Sequence, residues 1–192
     1  MKRARWVIGI GLAGAMLGAT FWVAQRSSAQ AQEERVQRGK YLVETVAACG
    51  QCHTPRRGAE EDLSRLLSGH PEGAPAPRFA MELIQQGVFI SIAPTYTAFS
   101  GPWGTSYATN LTPDPETGLG SWTEEQFVRA MRTGRHQGQP NARTILPPMP
   151  WKAYQGMSEE DLRAIWAYLQ TIPPIRNRVP PATNRFGEPY DQ

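Results

Sequence analysis

Residues 49–53 read CGQCH, and Cys49 and Cys52 are the two cysteines of the chain. A disulfide, a zinc site or a covalently held cofactor could each use two thiols at this spacing. A disulfide would close only a very small loop, which stabilises little. A redox CxxC motif wants a βαβ setting, and helix followed by loop is expected here. Zinc takes four ligands, and the remaining histidines, His70 and His136, are 66 residues apart (136 − 70), unlike the close His pair of a finger. Cys-x-x-Cys-His is also the signature of c-type haem attachment. Two thiols on one tight turn can reach the two vinyl groups at one porphyrin edge and form thioethers, and the imidazole that follows is then carried beneath the iron. This third reading fits best. It gives one covalently bound haem c, attached through Cys49 and Cys52, with His53 as proximal axial ligand.

Iron held by one imidazole has a second axial position, which His, Met, water or a gas can take. Met149 lies in ILPPMPWKAY, where Pro147, Pro148 and Pro150 forbid ordinary helix or central strand. A methionine between rigid flanks is poorly explained as a gap-filler in a core. Such flanks suit a weak thioether that must be held against a metal, so Met149 is the candidate distal ligand. Met131 reads as core packing on a helix, Met157 as a staple onto the last helix, and Met81 as packing. His70 and His136 sit in Gly-, Pro- and Gln-rich loops and read as surface residues.

The setting fits export. Lys2, Arg3 and Arg5 precede an uncharged run, Trp6–Ala24, and Ala29-Gln30-Ala31 is a small-x-small cleavage pattern. The run is long enough to span about 28 Å at 1.5 Å per residue. Residues 1–31 therefore read as an export signal or as a single N-terminal membrane anchor. Either puts the body in the periplasm, soluble after cleavage or tethered to the outer face of the cytoplasmic membrane. The formal charge of +3 comes from this leader: without Lys2, Arg3, Arg5 and Arg26, 16 basic residues face 17 acidic ones. No basic run with interleaved aromatics follows, and nucleic-acid binding is set aside.

Residues 32–175 read as one domain and 176–192 as a Pro-rich tail over the surface. The expected class is all-α: short helices and shaped loops around one haem, with an extended or β excursion at about 88–99, where Val, Ile, Phe, Thr and Tyr dominate. Helices are expected at about 33–48, 62–68 and 79–86. A capping box, Thr123 to Gln126, opens another that Gly134 ends. Ser158 caps the last, whose Leu162, Ile165, Trp166 and Leu169 form a buried stripe. Arg129, Arg132 and Arg135, with Arg56 and Arg57, are candidates to steer an acidic partner or to pair with haem propionates, against the plainer reading of a solvated face.

The segments RGKYLV (38–43), CGQCHTPR (49–56), NLTPDPETGLGSWTEEQFVRAMRTG (110–134), LPPMPW (146–151) and MSEEDLRAIWAYLQTIPP (157–174) resemble the class I cytochrome c family. The likeness is to the cytochrome c domains that serve membrane-bound bacterial dehydrogenases for alcohols, aldehydes and sugar acids. The resemblance implies a compact helical fold whose first and last helices cross near Gly39, and His53 with Met149 as the axial pair. It also implies that Trp122 and the Asn110 turn flank the haem. A backbone carbonyl should orient the proximal imidazole, and Gly101-Pro102 is the candidate. The implied function is carriage of one electron at a time, from a dehydrogenase as donor to a cytochrome or terminal oxidase as acceptor. The alternative is a haem enzyme or a gas- or ligand-binding sensor with an open sixth iron position.

Overall fold

The computed structural model describes residues 28–80 and 82–190. The chain divides into two compact units, Met1–Arg35 and Val36–Gln192. In the first, residues 28–35 are helical, and Gln30 Nε2 donates to Glu34 Oε1 at 3.0 Å. Residues 1–27, which carry most of the expected export segment or anchor, lie outside the described residues, as does Met81. Among the described residues no helix is long and apolar enough to cross a membrane.

In the second unit, residues 36–41 (α1) are helical and widen into a π-helical turn, Leu42–Val46, that buries Leu42 and Val43. Ala48 takes φ 47, a left-handed conformation that turns the chain into the short helix α2, Gly50–His53. A two-stranded hairpin follows, β1 Arg56–Arg57 with β2 Glu60–Glu61. The helix expected at 62–68 is only a 3-10 turn, Leu63–Arg65, capped by Asp62. Leu67 then adopts φ 58 and Gly69 φ 79, and this break drops Leu67 into the core at 1% exposure. The helix expected at 79–86 is α3, Glu82–Gln85.

The all-α expectation holds for the helical part alone. The excursion expected at 88–99 is a three-stranded antiparallel sheet of β3 Ser91–Ile92, β4 Ala98–Gly101 and β5 Gly104–Tyr107, in the order β3-β4-β5. It runs on into residues whose Gly and Pro content reads as turn. Gly101 and Gly104 pair with each other across the hairpin end. A Cβ at Gly104 would lie 2.0 Å from the Thr183 carbonyl oxygen, because the tail pairs there: the amides of Thr105 and Thr183 each donate to the other's carbonyl, at 2.8 and 2.9 Å. Asn177 is 1% exposed, and its Nδ2 donates to the carbonyls of Ser68 and His70.

The two capped helices follow their sequence signals. α4, Glu124–Thr133, opens on the reciprocal Thr123–Gln126 box and closes on Gly134 at φ 65. After the short α5, Trp151–Tyr154, Ser158 Oγ accepts from the Asp161 amide to start α6, Glu159–Leu169, which buries Leu162, Ile165 and Leu169. Gly39 lets α1 cross α6 at backbone contact. A Cβ there would sit 1.9 Å from the Ala164 carbonyl oxygen, so any other residue forces the helices apart. The core lies at this crossing, where Leu42, Val43, Leu162, Ile165 and Leu169 meet Phe127 and Met131 of α4.

Candidate functional site

Cys49 is the N-cap of α2, and the His53 amide donates to the Cys49 carbonyl at 2.9 Å. One helical turn therefore carries both thiols and the imidazole. The turn is anchored from behind. Gly69 N donates to His53 O at 2.7 Å, and Leu67 N donates to the buried Thr54 Oγ1 at 3.0 Å. Both cysteines are free thiols, Cys49 half-buried and Cys52 exposed. Burial pushes the Cys49 thiol up to about 11 and also raises that of Cys52. Neither is poised as a thiolate, so activated-thiol chemistry is disfavoured. No group of three His, Cys, Asp or Glu side chains comes together among the described residues, and the zinc reading lacks its ligands.

His53 is buried, and its Nδ1 lies 2.8 Å from the Thr109 carbonyl oxygen. A carbonyl only accepts, so Nδ1 carries the ring proton and Nε2 keeps a lone pair. Burial lowers the imidazole pKa, with the Thr109 hydrogen bond opposing. The carbonyl expected from Gly101-Pro102 is thus supplied by Thr109, just beyond β5. The turn-rich composition of 101–120 hid the strand that sets this carbonyl in place.

A cavity of about 380 Å³ opens against the α2 turn, bounded by Cys49, Cys52 and His53 and by Met149 with its flanking prolines. Leu111, Leu119, Trp122, Phe127 and Met131 add largely apolar walls. The structure thus brings Cys49, Cys52, His53 and Met149 to one space. Trp122 lines it as expected. Asn110 stands behind the wall instead, donating Nδ2 to Ile175 O at 2.8 Å and accepting from Thr112 N at 3.0 Å. Met131 does double duty, in the core and on the cavity wall.

Of the two histidines expected at the surface, His70 is in the core and His136 is half-buried. His70 is fully buried: Nε2 lies 3.1 Å from Ala74 O, Nδ1 lies 3.0 Å from Thr97 Oγ1, and the ring tilts against Tyr107. It is a satisfied core histidine. His136 lines the cavity, its pKa pushed down to about 4 by burial and by the Arg143 charge. The arginine strip is tied down as well. Arg129, Arg132 and Arg135 donate to the carbonyls of Gly138, Gln155 and Ala142. Arg57 pairs with Asp62 at 2.8 Å, and Arg56 reaches Glu61 at 4.0 Å. Arg143, which sequence reasoning passed over, is the arginine that lines the cavity. The return of the chain at His136, whose amide donates to Arg143 O at 2.9 Å, brings it there, and no sequence motif marks it.

The residues present fit a covalently attached haem. Two thiols on one turn stand at the rim, a buried imidazole keeps a lone pair, and the cavity between it and a thioether is apolar. Comparison with known proteins agrees. No family model matches the chain. Over 95 residues it is 39% identical to a nicotinate dehydrogenase subunit of Pseudomonas putida, covering 50% of this chain and 8% of that protein. It is 29% identical over 153 residues to the cytochrome c subunit of the quinone alcohol dehydrogenase of Gluconobacter oxydans, covering 78% of this chain and 24% of that one. To the fructose dehydrogenase cytochrome subunit of Gluconobacter japonicus it is 30% identical over 143 residues, 74% of this chain and 22% of that one. The chain is thus similar to cytochrome c subunits of dehydrogenases. It spans less than a quarter of the length of these relatives.

Proposed function

We propose that this chain is a cytochrome c, a single-haem electron carrier. It would take one electron at a time from a periplasmic or membrane-bound dehydrogenase and pass it to a downstream respiratory acceptor, a cytochrome or terminal oxidase. Cys49 and Cys52 would hold one haem c as thioethers, His53 Nε2 would bind the iron on one face and Met149 Sδ on the other. Such a group supplies a one-electron Fe(III)/Fe(II) couple. The observation that carries the reading is the 2.8 Å contact of His53 Nδ1 with Thr109 O, which leaves Nε2 free in a cavity also lined by both cysteines and Met149.

The chain's own residues do the rest. Thr109 fixes the tautomer and orientation of His53 and makes it a better donor. Phe127, Leu119 and Leu111 exclude water, which disfavours a net charge in the cavity, and a methionine ligand favours the reduced iron relative to two histidines. Cys52 lies exposed at the rim, so the thioether edge would face an approaching redox partner. The dehydrogenase donor is supported by the names of the relatives.

The test is to produce the full chain in a host that matures c-type cytochromes, beside a Cys49→Ala/Cys52→Ala variant. The expected result is a red protein whose mass exceeds the polypeptide by one haem that survives denaturing electrophoresis, and a variant that retains none. A colourless product, or one with two haems, refutes the reading.

A further inference from the structure

The sheet that sequence reasoning only half anticipated touches the supports of both axial ligands through one short segment. Thr109, at the exit of β5, gives its carbonyl to His53 Nδ1 at 2.8 Å. Three residues earlier, Ser106 lies on β5 at 8% exposure and lines the cavity, and its Oγ donates to the Pro147 carbonyl at 2.5 Å. Pro147 is two residues from Met149. Pro147, Pro148 and Pro150 have no N–H, so this stretch can be fastened at those positions only through its carbonyls, and Ser106 is placed to do so. β5 itself is held on both edges, by β4 with Phe99 opposite Ser106, and by the tail at Thr183.

We propose that Ser106–Thr109 is a common strut that sets the separation of the two axial ligands, and that Ser106 is the positioning residue for Met149. The inference rests on the His53–Met149 reading above and deepens it. A weak thioether bond depends on the sulfur being held in place when it is not bonded. Removing the Ser106 hydroxyl should free the Pro147 carbonyl and let the loop swing outward, while the thioether links and His53 stay as they are.

The experiment compares Ser106→Val with Ser106→Thr in the haem-loaded protein, a pair matched in shape and differing in the hydroxyl. The readouts are the far-red absorption band of an iron–thioether bond in the oxidised protein, and the affinity for cyanide, which must displace the thioether. Covalent haem content serves as the control. Ser106→Val is expected to weaken the band and to bind cyanide roughly fivefold more tightly than wild type, the factor that one neutral hydrogen bond supplies. Ser106→Thr should keep the band and the wild-type affinity. Equal bands and equal cyanide affinities in the two variants would overturn the assignment of Ser106. A wild-type protein with no thioether band would overturn the Met149 reading first, and this inference with it. Ser106→Ala repeats the test without added bulk where Val does not accumulate with full haem content.

Discussion

The two sides of the cavity are built by different means. On the His53 side, thiols and imidazole share one helical turn, and a second segment contributes a single carbonyl from Thr109. On the Met149 side the ligand candidate sits in a proline-flanked loop whose place comes from distant partners. Ser106 holds Pro147 O, the Ile145 amide donates to Gly134 O at 2.7 Å, and Tyr154 Oη donates to Ala47 O at 3.1 Å. Gly134 leaves room for the Trp151 ring, which a Cβ would meet at 2.4 Å. The groups of one side are thus gathered within a single turn that Thr109, Leu67 and Gly69 steady, whereas the other side depends on tertiary contacts throughout, which any loosening of the fold would relax first.

The strongest way to break this comparison is at Met149, the proposed distal ligand. Met149→Ala should keep the covalent haem, lose the far-red thioether band and bind cyanide rapidly, with a lowered reduction potential. His136→Ala, altering another group on the same cavity wall, should keep the band. The checks are absorption spectroscopy and cyanide titration of both variants. A thioether band that survives in Met149→Ala would transfer the distal role to another methionine, such as Met131 on the same wall, whereas a wild-type protein without the band whose cyanide affinity rises in His136→Ala would transfer it to the histidine.

This contrast also explains what was legible in the sequence. CGQCH could be picked out as part of this cavity because its residues lie within five positions, and Met149 because its proline neighbours disfavour the plainer roles. The capping box at Thr123 and the stripe of Leu162, Ile165 and Leu169 gave α4 and α6 for the same reason, since their signals are local. Thr109 was not legible, because every residue owns a carbonyl and only the fold decides which one faces His53. His136 and Arg143 were missed likewise, and His70 was misread: its loop composition suggests the surface, while its two ring partners and Tyr107 bury it. The sheet was half seen because β5, GTSY, lacks the apolar alternation that marks a strand.

A smaller effect sharpens the distal side. Tyr154 lies on α5, just after the Met149 loop, and its hydroxyl ties that helix to Ala47, two residues before Cys49. Tyr154→Phe removes the donor and little else. The expected loss is about 1 kcal/mol in urea unfolding of the haem-loaded protein. The thioether band should persist at neutral pH, because Ser106 still holds the loop. A loss of the band in this variant would mean that α5, rather than β5, governs Met149.

The smallest expected effect concerns the wall common to both sides. Asp114 Oδ1 accepts from Thr117 Oγ1 at 2.6 Å and from the amides of Thr117 and Glu116 at 2.7 and 3.2 Å. The Thr117 hydroxyl in turn accepts from the Asn177 amide at 3.0 Å. This turn carries Leu111 and Leu119 into the cavity wall. The Thr117 hydroxyl bond, aided by the two amides, holds the Asp114 carboxyl below the usual carboxylate range. Because the folded pKa lies below the unfolded one, the ionised group adds stability above an ordinary Asp value of about 3.9, and that contribution fades as pH falls through the folded value. Asp114→Asn should therefore lower stability slightly at neutral pH and flatten its decline below about pH 4. Urea midpoints measured across the acid range check this. Since these bonds of the turn run to itself and to Asn177 and not to the Met149 loop, the variant should leave the thioether band unchanged at neutral pH. A selective loss of the band there would show that the wall, like the sheet, holds one side more firmly than the other.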